Sequence, residues 1–268
     1  MALNGKVQVA VIGGTGLEEV FGASEMVNIG TPYGLSYKIS ICKVQDRKVA
    51  FLPRHGRRHD APPHKVNFRA NIYALHRLGV ERIIATNAVG AINPNFKPGD
   101  LVVPHDLIDF TKQRPLTFYD YAPVTHIDFT EPYCPELRRI LIEKAGEVGE
   151  VHEEAVYVCT EGPRFETPAE IKMFRLLGCD IVGMTSMPEA ALARELDICY
   201  ATICFVSNMA AGMANRLTYK EVLETSKIVM PKLRRIIAET IASLPEVRGC
   251  QCHLSVKLGR IGEAEEEV

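Results

Sequence analysis

The sequence carries little net charge and contains no long apolar run, and each absence excludes a class of function. The 268 residues have a formal net charge of −2 at pH 7 and a pI near 6.5, so the chain offers no electrostatic footprint for nucleic acid or an anionic membrane. It also has no apolar stretch of roughly eighteen residues and no basic segment followed by an apolar one. We therefore expect a soluble cytoplasmic protein without nucleic-acid or membrane partners.

Length and composition predict one large α/β domain. An apolar content of 47% and a charged content of 24% supply ample material for a core, and one domain fits this length better than two. Apolar runs of strand length alternate with amphipathic segments, which predicts a central, mostly parallel mixed sheet flanked by helices. We place this domain at residues 1–247 and a polar, acidic tail containing a CxC pair at residues 248–268.

The local patterns predict the order of the elements. Strands are expected at about residues 7–12, 37–44, 48–52, 82–86, 101–104, 155–159, 180–182 and 198–206. Helices are expected at about residues 65–78, 134–147, 168–177, 188–195 and 218–244. The segment 106–131 has no strong periodicity, and such a long excursion is typical of a functional loop or an interface.

The eight cysteines are of two kinds. Six are scattered, several of them in apolar runs, where a free cysteine behaves as a small hydrophobic residue. Cys250 and Cys252 instead form a CxC pair in a polar segment. A zinc site there would need two more ligands and only His253 is near, so no metal is expected. The sequence leaves open whether the pair forms a disulfide or two inert thiols.

Two segments are candidates for binding an anion. Gly13-Gly14-Thr15-Gly16 follows the first strand, and such a turn exposes N–H groups that suit a phosphate. It is not a GxGxxG motif, which counts against a dinucleotide fold. The second candidate is the loop Arg54-His55-Gly56-Arg57-Arg58-His59, in which Arg54 and His55 are the strongest donors. The alternative is a solvated basic loop.

The ends of other strands carry small polar or aromatic clusters. They are Asn87-Ala88, the run from Thr160 to Glu166, Gly183-Met184-Thr185 and Ser207-Asn208. Clusters at the ends of neighbouring strands are how an α/β protein builds a pocket. The stretch from Thr160 to Asn208 is therefore predicted to form the main part of a binding site.

These motifs, in their order and spacing, resemble the trimeric purine nucleoside phosphorylase and methylthioadenosine phosphorylase family. The resemblance covers about residues 7–244 and also includes Pro188-Glu189. It implies a nucleoside phosphorylase-like fold and a reaction in which inorganic phosphate attacks C1′ of a purine nucleoside, giving the free base and ribose 1-phosphate. It further implies a homotrimer or a dimer of trimers, and neither a metal nor an organic cofactor.

The resemblance also assigns roles to residues of this sequence. The catalytic residues would be Asn208 and His55. Phosphate would be held by Thr15, Arg54, His55, Asn87, the N–H group of Ala88, and Thr185, with Asn87 standing where relatives often have a hydroxyl residue. The nucleoside would contact Phe165, Glu166, Met184, Ser207, Asn208, Met209, Ala210, Tyr219 and Val222, and His126 would enter from a neighbouring subunit.

Two of these positions indicate which purine is bound. Methylthioadenosine phosphorylases carry Asp at the position of Asn208 and a small residue at that of Glu166. The carboxamide of Asn208 can donate to O6 and accept from N7–H, and the carboxylate of Glu166 can accept from N1–H, so the pair favours a 6-oxopurine. The alternatives are that Glu166 caps the helix near Pro168 and that the protein is a methylthioadenosine phosphorylase.

The 5′ end of the substrate and the reaction class leave further alternatives. Tyr219 can bond a 5′-hydroxyl group or pack on a methylthio group, so methylthioinosine stays a candidate substrate beside inosine and guanosine.

Three other classes of protein compete with a phosphorylase: a purine sensor, a nucleosidase that uses water, and a metal-dependent hydrolase built on His55, His59 and His64. The sensor and the nucleosidase would not need a second anion site. The histidines lie in a loop broken by Pro and Gly, which disfavours a metal.

Overall fold

A computed structural model describes residues 6–13, 25–214 and 218–260 of the chain. Thirteen strands lie in this part of the chain, with bounds Val9–Gly13 (β1), Glu25–Val27 (β2), Gly30–Thr31 (β3), Gly34–Leu35 (β4), Ile39–Val44 (β5), Arg47–Pro53 (β6), Arg82–Ala91 (β7), Leu101–Val102 (β8), Asp106–Phe110 (β9), Val151–His152 (β10), Val156–Thr160 (β11), Ile181–Gly183 (β12) and Cys199–Met209 (β13). The α-helices in the same residues are Phe68–Arg77 (α1), Pro135–Gly146 (α2), Pro168–Leu176 (α3), Ser186–Arg194 (α4), Tyr219–Ser243 (α5) and Ser255–Gly259 (α6).

The predicted α/β fold with a mixed, mostly parallel sheet is confirmed. Within the described ranges, eleven strands form one sheet, whose main path runs β10-β8-β13-β7-β1-β6-β5-β2. The central pairs of β7 with β1 and β13, and of β1 with β6, are parallel. Since parallel strands end at the same edge of a sheet, the residues that follow β6 and β7 lie close to the end of β13.

The long strand β7 divides the sheet into two parts. Its first residues pair with β1, and its last two residues, Gly90 and Ala91, pair antiparallel with β12. The second part continues from β12 through β11 to β9. Strand β7 is buried along its length except at Ala88, which indicates that the sheet opens onto a cavity at this residue.

Most of the core lies in two layers, one on each face of the sheet, and a smaller cluster packs α3 against β11 and β12. One layer packs the sheet against α1 and α4 and includes Ile12, Ile72 and Leu192. The other packs the sheet against α2 and α5 and includes Ile84, Leu141 and Ile237. The last long helix contributes Val229, Leu233, Ile236, Ile237 and Ile241 to this layer, all of them buried, whereas Ile228 on the same helix is 71% exposed.

Helix starts follow from local capping chemistry. Thr167 caps α3 and Thr218 caps α5, and each forms a reciprocal capping box with the glutamate three residues later. Pro168 occupies the first turn of α3, where a missing N–H group costs nothing. The alternative that Glu166 caps α3 is therefore wrong, since Thr167 fills that position.

The structure corrects the predicted boundary of the domain at residue 247. Cys250 and Cys252 are buried in the core layer under α2 and α5, α6 follows them, and the N–H group of His126 donates to the carbonyl of Gly259 at 2.8 Å. The chain up to Arg260 therefore packs on the domain, because the two buried cysteine side chains anchor an otherwise polar segment. Residues 261–268, including the acidic run, lie outside the described residues.

The segment 106–131 also differs from its prediction, because it begins with a strand. Residues of β9 pair in parallel with β11, from Asp106 opposite Val156 to Phe110 opposite Thr160. The alternation along Asp106–Phe110 was too short to separate from a loop by pattern alone.

None of the helices in residues 6–13, 25–214 and 218–260 combines the length and apolar character needed to cross a bilayer.

Candidate active site

A cavity of about 340 Å³ opens at the carboxyl ends of β7 and β13. Its volume lies in the range typical of small-molecule sites. Most residues that the sequence assigns to the site lie on its wall, namely Arg54, His55, Asn87, Ala88, Phe165, Glu166, Met184, Thr185, Ser207, Asn208, Ala210 and Val222.

Arg54 is held at the base of the cavity by a buried carboxylate. Its Nε and Nη2 donate to the two oxygens of Glu189 at 2.5 and 3.0 Å, and its Nη1 donates to the carbonyl of Thr86 at 2.9 Å. Tyr200 donates its hydroxyl to the same glutamate at 2.9 Å. Because a guanidinium has five N–H groups, these bonds fix its plane and leave two donors for an anion.

The imidazole of His55 is oriented by a backbone carbonyl. Its Nδ1 lies 2.8 Å from the oxygen of Ala61, and a carbonyl can only accept, so Nδ1 carries the proton. Burial, with the neighbouring Arg54 charge, lowers the pKa of His55 to about 4. At neutral pH the ring is therefore uncharged, and Nε2 is a hydrogen-bond acceptor.

Asn87 and Thr185 form a buried polar chain beside Arg54. The hydroxyl of Thr185 donates to Oδ1 of Asn87 in a short hydrogen bond. Nδ2 of Asn87 donates to Oγ1 of Thr202 at 2.7 Å, and that hydroxyl donates to the carbonyl of Ala85 at 3.2 Å. Asn87 thus fixes the position of Thr185 on the cavity wall.

A β-bulge presents Ser207 and Asn208 to the cavity. In the pairing of β13 with β7, Val206 lies opposite Val89 and Asn208 opposite Gly90, so Ser207 is the extra residue. Bulges of this kind redirect side chains next to active sites. Gly90 makes room for the result, because a Cβ atom there would lie 3.3 Å from Nδ2 of Asn208.

The carboxamide of Asn208 has a defined orientation. Its Nδ2 donates to the carbonyl of Met209 at 2.9 Å, and its Oδ1 accepts from the hydroxyl of Ser207 at 2.6 Å. Since the Met209 carbonyl cannot donate, the nitrogen must lie on that side. One N–H group and one lone pair of Asn208 remain for a ligand.

Glu166 is a half-buried carboxylate on the same cavity wall. Its Oε1 accepts from the hydroxyl of Thr160 at 2.7 Å. Burial raises the pKa of Glu166, although the Thr160 hydrogen bond opposes that shift. Thr160 also contacts the carbonyl of Gly183. Gly183 follows Val182, which pairs with Gly90, and Gly90 lies beside Asn208. Glu166 therefore belongs to the Asn208 end of the cavity.

Four of the predicted residues are not brought to this cavity by the described part of the chain. Thr15 lies outside the described residues, and nothing is described of the side chain of Tyr219. Met209 points away because it alternates with Asn208 along the strand, and it packs against the core layer of α1 and α4. His126 is exposed and is not on the cavity wall, so it could reach a site only in another subunit.

Sequence reasoning missed part of the wall that α5 supplies. Ser226 and Met230 line the cavity together with Val222 and Leu223. The spacing of four residues from Val222 to Ser226 to Met230 is the signal that could have found them, because such residues share a helix face.

The alternative of a three-histidine metal site finds no support. The rings of His55 and His59 stack with centroids 4.6 Å apart, and Nδ1 of His55 is already bonded to Ala61. In residues 6–13, 25–214 and 218–260, the one group of three or more potential ligands with converging atoms consists of four cysteines.

The two ends of the cavity differ in chemistry. Arg54, His55 and Thr185 lie near Thr86 and Asn87, whereas Asn208 lies beside Gly90. At roughly 3.3 Å per residue, Thr86 and Gly90 are about 13 Å apart along β7. The fold and site therefore define an α/β protein whose pocket suits a small anion at one end and a polar heterocycle at the other.

Comparison with known proteins agrees with this class. The profile of the Phosphorylase superfamily matches residues 8–242. A 6-oxopurine nucleoside phosphorylase from Pyrococcus furiosus is 50% identical over 260 residues, covering 93% of this chain and 98% of its own. A probable S-methyl-5′-thioinosine phosphorylase from Methanopyrus kandleri is 52% identical, with coverages of 91% and 96%.

Solved structures show the same fold. The crystal structure of a methylthioadenosine phosphorylase from an antarctic soil metagenomic library superimposes with a TM-score of 0.92 at 36% identity, covering 97% of this chain and 94% of its own. The chain therefore belongs to the Phosphorylase superfamily. Its resemblance to purine nucleoside and methylthioadenosine phosphorylases is confirmed.

Proposed function

We propose that this protein is a 6-oxopurine nucleoside phosphorylase, a pentosyltransferase that converts inosine or guanosine and phosphate to the free base and ribose 1-phosphate. The observation that carries the proposal is the fixed carboxamide of Asn208 in one cavity with Glu166. Relatives of similar length that are named 6-oxopurine nucleoside phosphorylases support it.

At the anion end, the free N–H groups of Arg54 and the N–H group of Ala88 bind phosphate. The hydroxyl of Thr185, which donates to Asn87 in this structure, turns to donate to a phosphate oxygen. Arg54 is the one of these that carries a charge, and Glu189 holds it in place. Nε2 of neutral His55 accepts a hydrogen bond from the P–OH group of HPO₄²⁻, which turns the unprotonated oxygens toward the sugar. Thr15 is assigned to the same group by family resemblance.

At the base end, the geometry discriminates between purines. The remaining N–H group of Asn208 donates to O6, and its remaining lone pair accepts N7–H as the base leaves. Ionised Glu166 accepts N1–H. An adenine would place a lone pair opposite Glu166 and an amino group opposite the N–H group of Asn208, leaving buried polar groups unpaired.

The reaction breaks the C1′–N9 bond and forms a bond from C1′ to a phosphate oxygen. The electron pair of the broken bond passes to the purine, N7 takes up a proton from solvent, and Oδ1 of Asn208 accepts a hydrogen bond from the new N7–H group. The proton of HPO₄²⁻ is released to solvent as the sugar 1-phosphate forms, so protons balance over the reaction. Met184 and Phe165 pack against the ribosyl group, which carries positive charge in the transition state. Because phosphate is itself the nucleophile, the proposed reaction needs no organic cofactor or catalytic metal.

A second candidate substrate is methylthioinosine. The α5 wall of the cavity is mainly apolar, with Val222, Leu223 and Met230 beside the single hydroxyl of Ser226. Such a wall favours a methylthio group over a 5′-hydroxyl group. Relatives named probable S-methyl-5′-thioinosine phosphorylases point to the same substrate.

A homotrimer or a dimer of trimers is part of the proposal. Apolar side chains are exposed along the excursion that carries His126, including Leu116 at 43%, Tyr121 at 88% and Val124 at 51%. Exposed apolar clusters of this kind mark interaction sites. Assembly through this excursion would bury them and could bring His126 to the cavity of a neighbour.

The test is product analysis with and without phosphate. Inosine, guanosine, adenosine, methylthioadenosine and methylthioinosine are each incubated with the protein, the base is separated by chromatography and the sugar product is followed by ³¹P NMR. Phosphate-dependent release of hypoxanthine or guanine together with a sugar 1-phosphate supports the proposal. Base release that ignores phosphate would make the protein a nucleosidase, and binding without turnover would make it a sensor.

A further inference from the structure

Four cysteines from distant parts of the sequence meet in one buried cluster. The Sγ atoms of Cys134, Cys199, Cys250 and Cys252 all lie within 4.8 Å of one another, and each of the four residues is buried. The shortest recorded separation joins Cys199 to Cys250 at 3.3 Å. The expectation that the CxC pair lacks two further ligands is therefore wrong, because Cys134 and Cys199 supply them.

Regular elements hold the cluster from three sides. Cys134 directly precedes α2, Cys199 is the first residue of β13, and the CxC pair leads into the 3₁₀ turn Cys252–Leu254. The N–H group of Cys134 donates to the carbonyl of Tyr200 at 2.8 Å. The N–H group of Gly249 donates to Glu136 at 2.6 Å. These bonds preserve the arrangement whether or not the sulfurs share a ligand.

Positive charge is buried next to the thiols. Arg82 lies opposite Cys199 in the pairing of β7 with β13. It is 1% exposed, and its Nε and Nη1 have no hydrogen-bond partner among the described residues. Its Nη2 donates to the carbonyl of Pro245 at 3.0 Å and lies 3.7 Å from Glu136, so one carboxylate offsets part of this charge.

A second arginine, Arg194, is also buried, at 8% exposed. The nitrogens of Arg194 donate to the carbonyls of Asp128 and Glu131 rather than to a carboxylate. The unpartnered Nε and Nη1 of Arg82 favour an anionic state of the cluster, because buried charges are otherwise neutralised.

We propose that the four thiolates bind one divalent cation of the zinc class. Tetrahedral zinc with bonds of about 2.3 Å to sulfur separates its ligands by about 3.8 Å, which this cluster reaches with small side-chain movements. Four thiolates and one divalent ion carry a net charge of −2, part of which the guanidinium of Arg82 beside Cys199 offsets. Binding releases the four thiol protons to solvent.

The site is structural because all four coordination positions are filled by protein. Cys199 and Asn208 stand at opposite ends of β13, which separates the cation from the cavity by roughly 30 Å at ~3.3 Å per residue. The ion would fasten residues 248–260 to the sheet. Two disulfides among the same sulfurs would also fasten that segment, but they would be neutral and would place no anion beside the unpartnered Nε and Nη1 of Arg82.

The test measures metal and thiols on the full chain. Protein purified in a phosphine reductant is incubated with Zn²⁺, desalted and analysed by mass spectrometry for metal, and cobalt-loaded protein is examined for thiolate-to-metal absorption. We expect about one zinc per chain, a tetrahedral cobalt spectrum, and eight titratable thiols after denaturation with a chelator. The double change Cys250→Ser and Cys252→Ser should abolish binding, while Cys42→Ser with Cys179→Ser, which alters buried thiols outside the cluster, should retain it.

Two results would overturn the proposal. One is eight free thiols with no metal retained after reduction and loading. The other is the finding that the cysteines form disulfides and bind no zinc. Protein purified without reductant would then have fewer than eight titratable thiols and a mass lower by two hydrogens for each pair of thiols lost, and it would take up no zinc after reduction. If the double serine variant fails to fold, the metal content and cobalt spectrum of the unaltered chain still decide between these outcomes.

Discussion

Arg54 and Glu189 form a two-point ion pair beneath the cavity, and Tyr200 completes the coordination of the carboxylate. Both side chains are at most 3% exposed. Such a pair is costly to break, because removing one partner leaves a buried charge. In the proposed reaction Glu189 touches no substrate but fixes the plane of the guanidinium that binds phosphate, which makes it a positioning residue.

Glu189→Gln should therefore weaken phosphate binding more than nucleoside binding. Hydrogen bonds to charged groups contribute about 1.5–3 kcal/mol, so we expect the KM for phosphate to rise about 10- to 100-fold. Steady-state kinetics with each substrate varied in turn would compare the change in the KM for phosphate with the change in the KM for the nucleoside. Glu195→Gln is the matched control, since Glu195 is equally buried but bonds Thr117 and Phe118. An unchanged phosphate KM in Glu189→Gln would remove the positioning role.

The base-recognition account predicts a switch of substrate. Asn208→Asp combined with Glu166→Ser should lower kcat/KM for inosine by about 100-fold or more and raise the relative rate with adenosine, because each lost charged hydrogen bond costs about 10- to 100-fold. Competition assays with both nucleosides give the ratio directly. Glu170→Ser serves as the control, since Glu170 belongs to the capping box of α3 and lies outside the cavity. An unchanged ratio in the double variant would refute the assignment of both residues.

His55 should stay neutral across the working pH range. Its pKa is lowered from 6.5 to about 4, first by burial and then by the charge of Arg54. NMR of the ring should show no titration above pH 5 in the protein without phosphate, with His55→Gln identifying the signal. The unfolded imidazole binds a proton near pH 6.5, so His55 contributes stability above that pH and this contribution is lost as the pH falls toward 4. A ring that titrates near pH 6.5 in the folded protein would contradict the burial argument.

Gly90 should be required for catalysis because of its small size. A Cβ atom there would lie 3.2 Å from Val182 and 3.3 Å from Nδ2 of Asn208. Gly90→Ala should displace the carboxamide by a few tenths of an ångström and lower kcat/KM for inosine about tenfold, since small misplacements of catalytic groups are costly. Gly146→Ala is the control, because a Cβ atom there meets nothing within 4 Å. Equal activity of the two variants would show that Asn208 tolerates the shift.

The residues at strand ends could be predicted because their signal is local. Arg54, Asn87, Thr185 and Asn208 each follow an apolar run, and parallel strands bring such ends to one edge of a sheet. Met209 could not be placed correctly, because the bulge at Ser207 leaves no trace in the hydrophobic pattern. The direction of the Met209 side chain depends on which residue of β13 is left unpaired by β7.

Contacts between distant segments account for the remaining differences. Cys134, Cys199 and the CxC pair span more than a hundred residues, and no periodicity links them. The polar composition of residues 248–260 indicates a tail, yet two buried sulfurs place that segment in the core. One face of α5 belongs to the core, whereas the face with Ser226 and Met230 lines the cavity, because one helix serves both.

The central claim is preference for a 6-oxopurine, and the most direct measurement is kcat/KM for inosine against adenosine at saturating phosphate. A site built to bond N1–H and O6 rejects a substrate that leaves those groups unpaired, by as much as about 10⁴-fold. We predict that kcat/KM for inosine exceeds that for adenosine by at least about 10², and that methylthioinosine is likewise preferred to methylthioadenosine. A ratio near one, or a preference for adenosine, would contradict the roles given to Glu166 and Asn208.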